Sequence, residues 1–411
     1  MNIVILAGGF GTRLQSVVKD VPKPMADING TPLLELLMRE LAFLDPERFV
    51  LCVSYLKDKI KDHFKDNFLG IPVQYSEEAE PLGTGGAIKQ AFDLFNLEDA
   101  LVLNGDSYIQ ADYATFIRQT QGAKLAVMLK QVDNANRYGR VEVQDGRIIA
   151  FHEKEATEQA GLINAGIYKI NRSLFTNTLP QKFSFETDVL EPQIPVIKPP
   201  YMMVEDYFID IGLPESYAQA QKKLKTIIQG KPINKAVFLD RDGVINEDIH
   251  YLHRAEDCKF VPGIFDFCRR AKNAGYKLIV ITNQAGIAKG KFTEEDYLKL
   301  RDFMHKEFEK QGCPLDGEYY CPYHKDGNPP YNRASFYRKP NPGMILLAAK
   351  EHNIDLTRSI LIGDNENDIL AAKSAGVGQT IRFINPQNMR GDAMTSANAI
   401  INYNQLKGHT L

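Results

Sequence analysis

Ala236-Val237-Phe238-Leu239-Asp240-Arg241-Asp242-Gly243 is the stretch that decides how this chain is organised. Its apolar half reads as a buried strand, so the two aspartates leave the strand's C-terminal end on the same side, where α/β sheets hold their ligands. One carboxylate there can attack a phosphorus while the other handles the proton of the departing oxygen. A strand that opens such a site at residue 240 implies that a domain starts near residue 234 and that everything before it is a domain of its own.

Length supports the division, since 411 residues exceed what one core usually fills. The composition, 44% hydrophobic and 25% charged, is ordinary for a globular chain, and a net charge of −3 offers no basic field for nucleic acid or an anionic membrane. The five cysteines (52, 258, 268, 313 and 321) are odd in number and form no CxxC pair, which suits a reducing, cytoplasmic location and argues against a disulfide framework. Met1-Asn2-Ile3-Val4-Ile5-Leu6 has no basic n-region and reads as a first strand, and no apolar run is long enough to span a bilayer. A homo-oligomer is left open.

Directly after Ile3–Leu6 comes Ala7-Gly8-Gly9-Phe10-Gly11-Thr12-Arg13-Leu14. Glycines after a parallel-type strand let the backbone approach a phosphate and present bare N–H donors. Arg13 adds a charged donor, and Lys23 lies in Val21-Pro22-Lys23-Pro24-Met25, where two prolines fix its direction. Val50–Ser54, Val73–Tyr75, Ala100–Leu103 and Leu125–Leu129 read as further strands, with helices such as Leu33–Leu44 and Gly86–Phe95 between them. Pro81-Leu82-Gly83-Thr84-Gly85-Gly86-Ala87 reads as a second glycine turn opening a helix. Asn104-Gly105-Asp106 and Phe208-Ile209-Asp210 place carboxylates at strand ends, as hard oxygen ligands suited to Mg2+ beside substrate phosphates.

That order resembles the sugar-1-phosphate nucleotidyltransferases over roughly the first 225 residues. The branch it most resembles, the D-glycero-α-D-manno-heptose 1-phosphate guanylyltransferases, is indicated by Arg13–Val18, Pro81–Ile88, Arg137-Tyr138-Gly139-Arg140-Val141 and Asn164-Ala165-Gly166-Ile167-Tyr168. The resemblance implies that Gly8, Gly9, Gly11 and Arg13 hold a nucleoside triphosphate, GTP in this branch, and that Lys23 contacts its phosphates. It also implies that Gly83, Thr84 and Gly85 help frame the base, that Asp106 and Asp210 hold Mg2+, and that Glu153, Lys154, Asn164 and Gly166 reach the sugar phosphate. The implied reaction is in-line attack of the sugar phosphate on the α-phosphorus with release of pyrophosphate.

An amphipathic helix from Pro214 to Gln229, stopped by Gly230-Lys231-Pro232, closes the first domain, so the expected boundaries are residues 1–229 and 234–405. Beyond the opening motif, Leu278–Ile281 reads as a strand ending in Thr282-Asn283-Gln284, whose hydroxyl and amides can hold phosphoryl oxygens. Arg338-Lys339-Pro340-Asn341-Pro342-Gly343 supplies cations. Ser359–Ile362 is a strand ending in Gly363-Asp364, with Asp368 on the first turn of the next helix.

This second order resembles the haloacid dehalogenase superfamily, and specifically its D-glycero-D-manno-heptose 1,7-bisphosphate phosphatase branch, over about residues 234–400. The resemblance implies that Asp240 is the nucleophile and Asp242 the general acid and then base. Thr282 and Lys339 would stabilise the phosphoryl group. Asp240, the backbone carbonyl of Asp242, and Asp364 would hold Mg2+. Asp248, Ile249, His250 and Tyr251, with Asn283, Gln284, Ala285 and Arg338, would face the sugar. Many relatives carry a zinc loop with Cys-x-His and Cys-x-Cys ligands. Here the stretches are Cys321-Pro322-Tyr323 and Ser335-Phe336-Tyr337, so no zinc is expected, and packing by Tyr319, Tyr320, Tyr323, Tyr331, Phe336 and Tyr337 is expected to replace it.

The expectation is therefore two doubly wound, Rossmann-like α/β domains, an N-terminal nucleotidyltransferase fold and a C-terminal haloacid dehalogenase fold. Together they would take the 7-phosphate off heptose 1,7-bisphosphate and join the heptose 1-phosphate to a nucleotide. Alternatives at this stage are histidinol phosphatase, another hexose-1-phosphate pathway, or a phosphatase regulated by a silent sugar-nucleotide sensor.

Overall fold

The computed structural model describes residues 1–9, 12–14, 17–153, 159–176, 178–229, 233–384, 398–400 and 403. Two compact units divide the chain, Met1–Ile228 and Gln229–Leu411.

In the first unit Asn2–Leu6 is the central strand. Ile3, Val4 and Ile5 are all fully buried, as expected of a strand covered on both faces. It runs parallel to Arg48–Val53 on one side and Asp99–Asn104 on the other. The hydrogen-bonded path runs Arg147–His152, Arg140–Gln144, Gly161–Asn171, Asp99–Asn104, Asn2–Leu6, Arg48–Val53, Ile71–Glu77, Asn67–Phe68. The parallel, doubly wound part ends at Asp99–Asn104. Beyond it, Gly161–Asn171 runs antiparallel to both Asp99–Asn104 and Leu125–Val132, so the sheet is mixed. Sequence reading had found the Asn164–Tyr168 motif but not this long strand around it.

Leu33–Ala42 forms the expected helix, with Leu33, Leu34, Leu37, Met38 and Leu41 buried at helical spacing. The helix expected at Gly86 begins at Gly83 instead. Its glycines are demanded by packing: a Cβ on Gly85 would lie 2.2 Å from the Phe183 ring, and one on Gly83 2.4 Å from the Phe183 carbonyl oxygen. A small antiparallel ribbon pairs Ser107–Ile109 with Phe208–Asp210 and sets Asp210 opposite Ser107. The Pro214–Gln229 helix ends the unit, while its expected stop at residues 230–232 lies outside the described residues.

The second unit carries a sheet of six parallel strands in the order Gly317–Cys321, Tyr276–Asn283, Lys235–Leu239, Ile360–Gly363, Gln379–Phe383, Asn398–Ile400. Alternate residues of the opening strand enter opposite cores. Val237 and Leu239 pack with Leu278, Val280, Ile360 and Ile362, and Ala236 and Phe238 pack with Ile279, Ile281 and Leu361. From Lys235–Leu239 the chain winds first to one side and later to the other, which makes the C-terminal end of this strand a topological switch point. Asp240, Thr282 and Asp364 all sit on that edge. Among the described residues, no helix is long and apolar enough to cross a membrane.

Candidate active sites

A cavity of about 420 Å3 opens at the C-terminal end of Asn2–Leu6, bordered by Gly8, Gly9, Arg13, Lys23, Gly83, Thr84 and Asp106 among others. A Cβ on Gly9 would meet nothing within 4 Å, so this glycine faces open space. The short antiparallel ribbon brings together carboxylates that are far apart in sequence. The Lys23 ammonium lies 2.6 Å from Asp106 Oδ2 and 3.0 Å from Asp210 Oδ1. Burial favours the neutral form of Lys23, but the two carboxylates outweigh it and raise its pKa, so the ammonium is charged. Asp210 is further held by the Gly212 N–H at 2.8 Å and by Arg137 Nη2 at 3.3 Å. Two hard oxygen donors beside a cavity of small-molecule size fit Mg2+, which takes few protein ligands and completes its shell with water and phosphate.

The other expected residues of this unit are placed less directly. Gly85 packs beneath Phe183. Asn164 Nδ2 donates to the Tyr168 hydroxyl at 2.5 Å, and its Oδ1 accepts from the Gly166 N–H at 2.9 Å, so the Asn164–Gly166 turn is braced internally. The Glu153 N–H donates to Glu191 Oε1 at 3.2 Å. Gly11 and Lys154 lie outside the described residues.

In the second unit Lys339 is the pivot. Its buried ammonium lies 2.9 Å from Asp240 Oδ1 and 2.6 Å from Asp368 Oδ1, and it also donates to the Ile281 carbonyl at 3.0 Å. Asp240, Asp364 and Asp368 offer oxygens that all lie within 4.8 Å of one another. Such closeness is costly. Burial first, then the neighbouring carboxylates, raise the pKa of both Asp240 and Asp364 well above the usual range, with Lys339 only partly compensating. A hard divalent cation is the group that relieves this repulsion, so the donor set fits Mg2+. Gly243 permits the arrangement: its φ is +83°, and a Cβ there would lie 2.1 Å from Asp364 Oδ2.

Asp242 is held apart from that cluster. Arg241 Nη2 bonds both of its oxygens, at 3.0 and 2.8 Å, and Asn246 Nδ2 and Gln284 Nε2 donate to it at 3.0 and 3.2 Å. Burial alone would raise its pKa, but these partners, Arg241 foremost, lower it.

Two of the residues expected to face the sugar are hydrogen-bonded within the protein. Asn283 spends both ends of its amide on the Lys339 backbone, at 3.0 Å each. Gln284 is buried between Thr282 Oγ1, at 2.9 Å, and Asp242. Ala285 opens the short Ala285–Ala288 helix next to them. Ile249 and Tyr251 are exposed, and both His250 and Tyr251 have left-handed backbone, with φ of 57° and 64°. Two successive non-glycine residues in that region store strain, which is common in ligand-facing loops. The Asp248 carboxylate caps the turn through the His250 N–H at 2.9 Å. Arg338 donates to the Tyr323 carbonyl at 3.1 Å, and no carboxylate pairs with it among the described residues.

The loop between Cys321 and Tyr337 is built from rings and their hydroxyls. Tyr323 packs on Tyr331, Phe336 on Tyr337, and Arg333 stacks over Tyr323 at 3.8 Å. Tyr320 and Tyr331 both donate to Glu294, at 2.7 and 2.8 Å, and Tyr319 donates to Glu351 at 2.5 Å. His324 Nδ1 accepts from the Asp326 N–H at 3.1 Å.

Comparison with known proteins places both halves. The profile of the nucleotidyl transferase family matches residues 2–227, and that of the haloacid dehalogenase-like hydrolases matches residues 205–376. A D-glycero-α-D-manno-heptose-1,7-bisphosphate 7-phosphatase from Burkholderia mallei is 46% identical over 169 residues, 41% of this chain and 88% of its own length. The chain belongs to the nucleotidyl transferases through its first half and to the haloacid dehalogenase-like hydrolases through its second.

The transferase half is similar to a D-glycero-α-D-manno-heptose 1-phosphate guanylyltransferase from Campylobacter jejuni, 43% identical over 218 residues, 53% of this chain and 97% of that protein. A solved glucose-1-phosphate thymidylyltransferase structure from Bacillus anthracis, 19% identical, covers 54% of this chain and 94% of its own with a TM-score of 0.50, which bears on fold alone.

Sequence reading missed several side chains in both halves. In the transferase half these are Arg137, which grips Asp210, and Glu78, which borders the cavity and accepts the Leu82 N–H at 2.9 Å. Burial raises the Glu78 pKa. In the hydrolase half it missed the hold of Arg241 on Asp242. A carboxylate just before Pro81-Leu82-Gly83 was the available signal for Glu78. Arg137 and Arg241 lie within the motifs themselves, but their roles depend on contacts the sequence does not show.

Proposed function

We propose that this chain makes a nucleotide-activated heptose in two steps, each in its own unit. The second unit removes the 7-phosphate of D-glycero-D-manno-heptose 1,7-bisphosphate. The first joins the resulting heptose 1-phosphate to GMP from GTP and releases pyrophosphate. The supporting observation is that each unit carries its own lysine-bridged pair of carboxylates at a strand end, Asp106 and Asp210 on Lys23 and Asp240 and Asp368 on Lys339. The relatives of the two halves are named for consecutive reactions. The guanylyltransferases and the Burkholderia mallei phosphatase specify the α anomer, other phosphatase relatives at 39–43% identity specify the β anomer, and the transferase half decides between them. The α-configured sugar is therefore the proposed substrate.

In the hydrolase half, an Asp240 oxygen attacks the phosphorus, the bond from phosphorus to the sugar oxygen breaks, and that oxygen takes a proton from Asp242. Asp242 then takes a proton from water, the water oxygen attacks phosphorus, and the bond to Asp240 breaks to release inorganic phosphate. The partners that lower the Asp242 pKa, Arg241 foremost, favour its second role as the base toward water, and that step returns the proton it gives in the next turnover. Lys339 neutralises charge on the transferring group. A divalent cation on Asp240, Asp364 and the Asp242 carbonyl, with Asp368 in reach, would hold the carboxylates ionised and offset phosphoryl charge.

In the transferase half, the Gly8 and Gly9 backbone and Arg13 hold the triphosphate. Lys23 keeps Asp106 and Asp210 together where a metal would sit. Positioning supplies most of the rate, so no nucleophilic side chain is required. Glu78 supports guanine as the base, because one carboxylate can accept from guanine's adjacent N1–H and N2–H2 donors, whereas adenine sets an acceptor, N1, beside its N6–H2 donor.

Product analysis with heptose 1-phosphate and a panel of nucleoside triphosphates tests this reading. GTP should be turned over best, and Glu78→Gln should narrow its lead by about tenfold, the usual cost of a lost charged hydrogen bond. A wild-type preference for another base would refute the guanine assignment.

A further inference from the structure

Arg241 separates the two aspartates of the opening motif, and its side chain is only 1% exposed. A buried guanidinium is costly unless it is met on every side. Its Nε and Nη2 fork the Asp242 carboxylate, and Nη2 also reaches the Leu252 carbonyl at 3.2 Å. Nη1 is buried without an acceptor, so hydrogen bonds from two nitrogens alone do not fix the group. The remaining hold is the Tyr297 ring, whose centroid lies 5.6 Å from the guanidinium carbon.

Tyr297 is itself fully buried, and its hydroxyl donates to Glu318 Oε1 at 2.5 Å. The Glu318 side chain is 3% exposed, and its other oxygen meets His305 Nε2 at 2.9 Å, where the line reaches the surface. Tyr297 and His305 lie two turns apart on the Glu294–Lys310 helix, and Glu318 is on the sheet's edge strand Gly317–Cys321. A core that needed only volume would carry apolar residues at 241 and 318. A phenol that donates to a carboxylate instead presents a more negative ring face to the cation above it.

We propose that Arg241, Tyr297 and Glu318 are positioning residues of the phosphatase reaction, fixing the direction in which the Asp242 carboxylate meets the departing sugar oxygen. The proposal rests on the assignment of Asp242 as acid and base made above.

Leaving-group dependence tests it. The alkyl oxygen of heptose 1,7-bisphosphate needs a proton to depart, whereas the nitrophenolate of p-nitrophenyl phosphate does not. Tyr297→Phe keeps the ring and removes its bond to Glu318, and Glu318→Gln keeps the shape and removes the charge. In single-turnover measurements with Mg2+, each variant should slow formation of the heptose product about tenfold and of nitrophenolate less than about twofold, with steady-state KM unchanged. Asp242→Asn should show the same discrimination on a larger scale.

Equal slowing of both substrates, or of neither, by the Tyr297 and Glu318 variants would overturn the positioning role if Asp242→Asn still discriminates. If Asp242→Asn does not discriminate, the assignment of Asp242 fails, and the positioning role with it. Unchanged thermal melting of the variants separates either result from misfolding.

Discussion

Asp240 and Asp364 show how much this protein asks of single residues. Burial and mutual repulsion raise both pKa values in the metal-free protein. A carboxyl whose folded pKa is raised binds more protons folded than unfolded, so its contribution to stability is present at low pH. That contribution is lost as pH rises from about 4, where free carboxylates titrate, through the raised folded values. Mg2+ held by these aspartates, as proposed, would replace the protons. Its stabilisation of the second unit should therefore grow with pH, and binding should release protons. Melting curves with and without Mg2+ at about pH 6 and about pH 8 check this, with the larger Mg2+-induced shift in Tm expected at the higher pH. A shift that shrinks with pH would contradict the placement of the cation on these aspartates.

The motif residues were legible because Asp240 and Asp364 follow strands at once and Lys339 sits in a proline-flanked stretch just before a helix. Asp240, Asp364 and Lys339 could be named from sequence for that reason. The partners that orient them could not. Arg137, Tyr297 and Glu318 act through contacts between separate elements, and long-range side-chain contacts leave no period in a sequence.

At the scale of elements, the central parallel strands announced themselves through continuous apolar runs, whereas Gly317–Cys321, Gln379–Phe383 and Asn398–Ile400 of the second unit were not read from sequence. Gly161–Asn171 of the first unit was missed as well, because it mixes polar motif residues with its buried ones. The ribbon that joins Ser107–Ile109 to Phe208–Asp210 was equally hidden. Three-residue strands carry too little pattern to read, yet this pairing is what brings Asp106 and Asp210 to one lysine.

The aromatic loop of the second unit belongs to this scale too. Sequence reading supplied its rings, while the structure adds Glu294, which accepts from both Tyr320 and Tyr331. Among the described residues, Cys321, His324 and Cys313 form no group of three ligating side chains. Purified protein should hold no stoichiometric zinc, and a zinc-selective chelator should leave melting temperature and Mg2+-supported phosphatase rates unchanged. Elemental analysis finding about one zinc per chain, with activity lost on its removal, would contradict this account of the loop.

Across the whole molecule, the order of the units is the reverse of the proposed order of reaction: the domain that acts second comes first in the chain. Each unit has its own buried core and its own carboxylate site, so chemistry in one does not require the residues of the other. Asp106→Ala should therefore lower nucleotidyl transfer by on the order of 10³-fold, as loss of a group that stabilises transition-state charge does. Phosphate release from heptose 1,7-bisphosphate should hold at the wild-type rate in that variant.

The most direct measurement uses Asp240→Asn, with sugar nucleotide followed by mass spectrometry in two parallel reactions. Given heptose 1,7-bisphosphate and GTP, the variant should form no GDP-heptose, because the amide cannot attack phosphorus. Given heptose 1-phosphate and GTP, it should form GDP-heptose at the wild-type rate. GDP-heptose appearing from the bisphosphate, or lost from both reactions in a protein that stays folded, would contradict two sites acting in sequence.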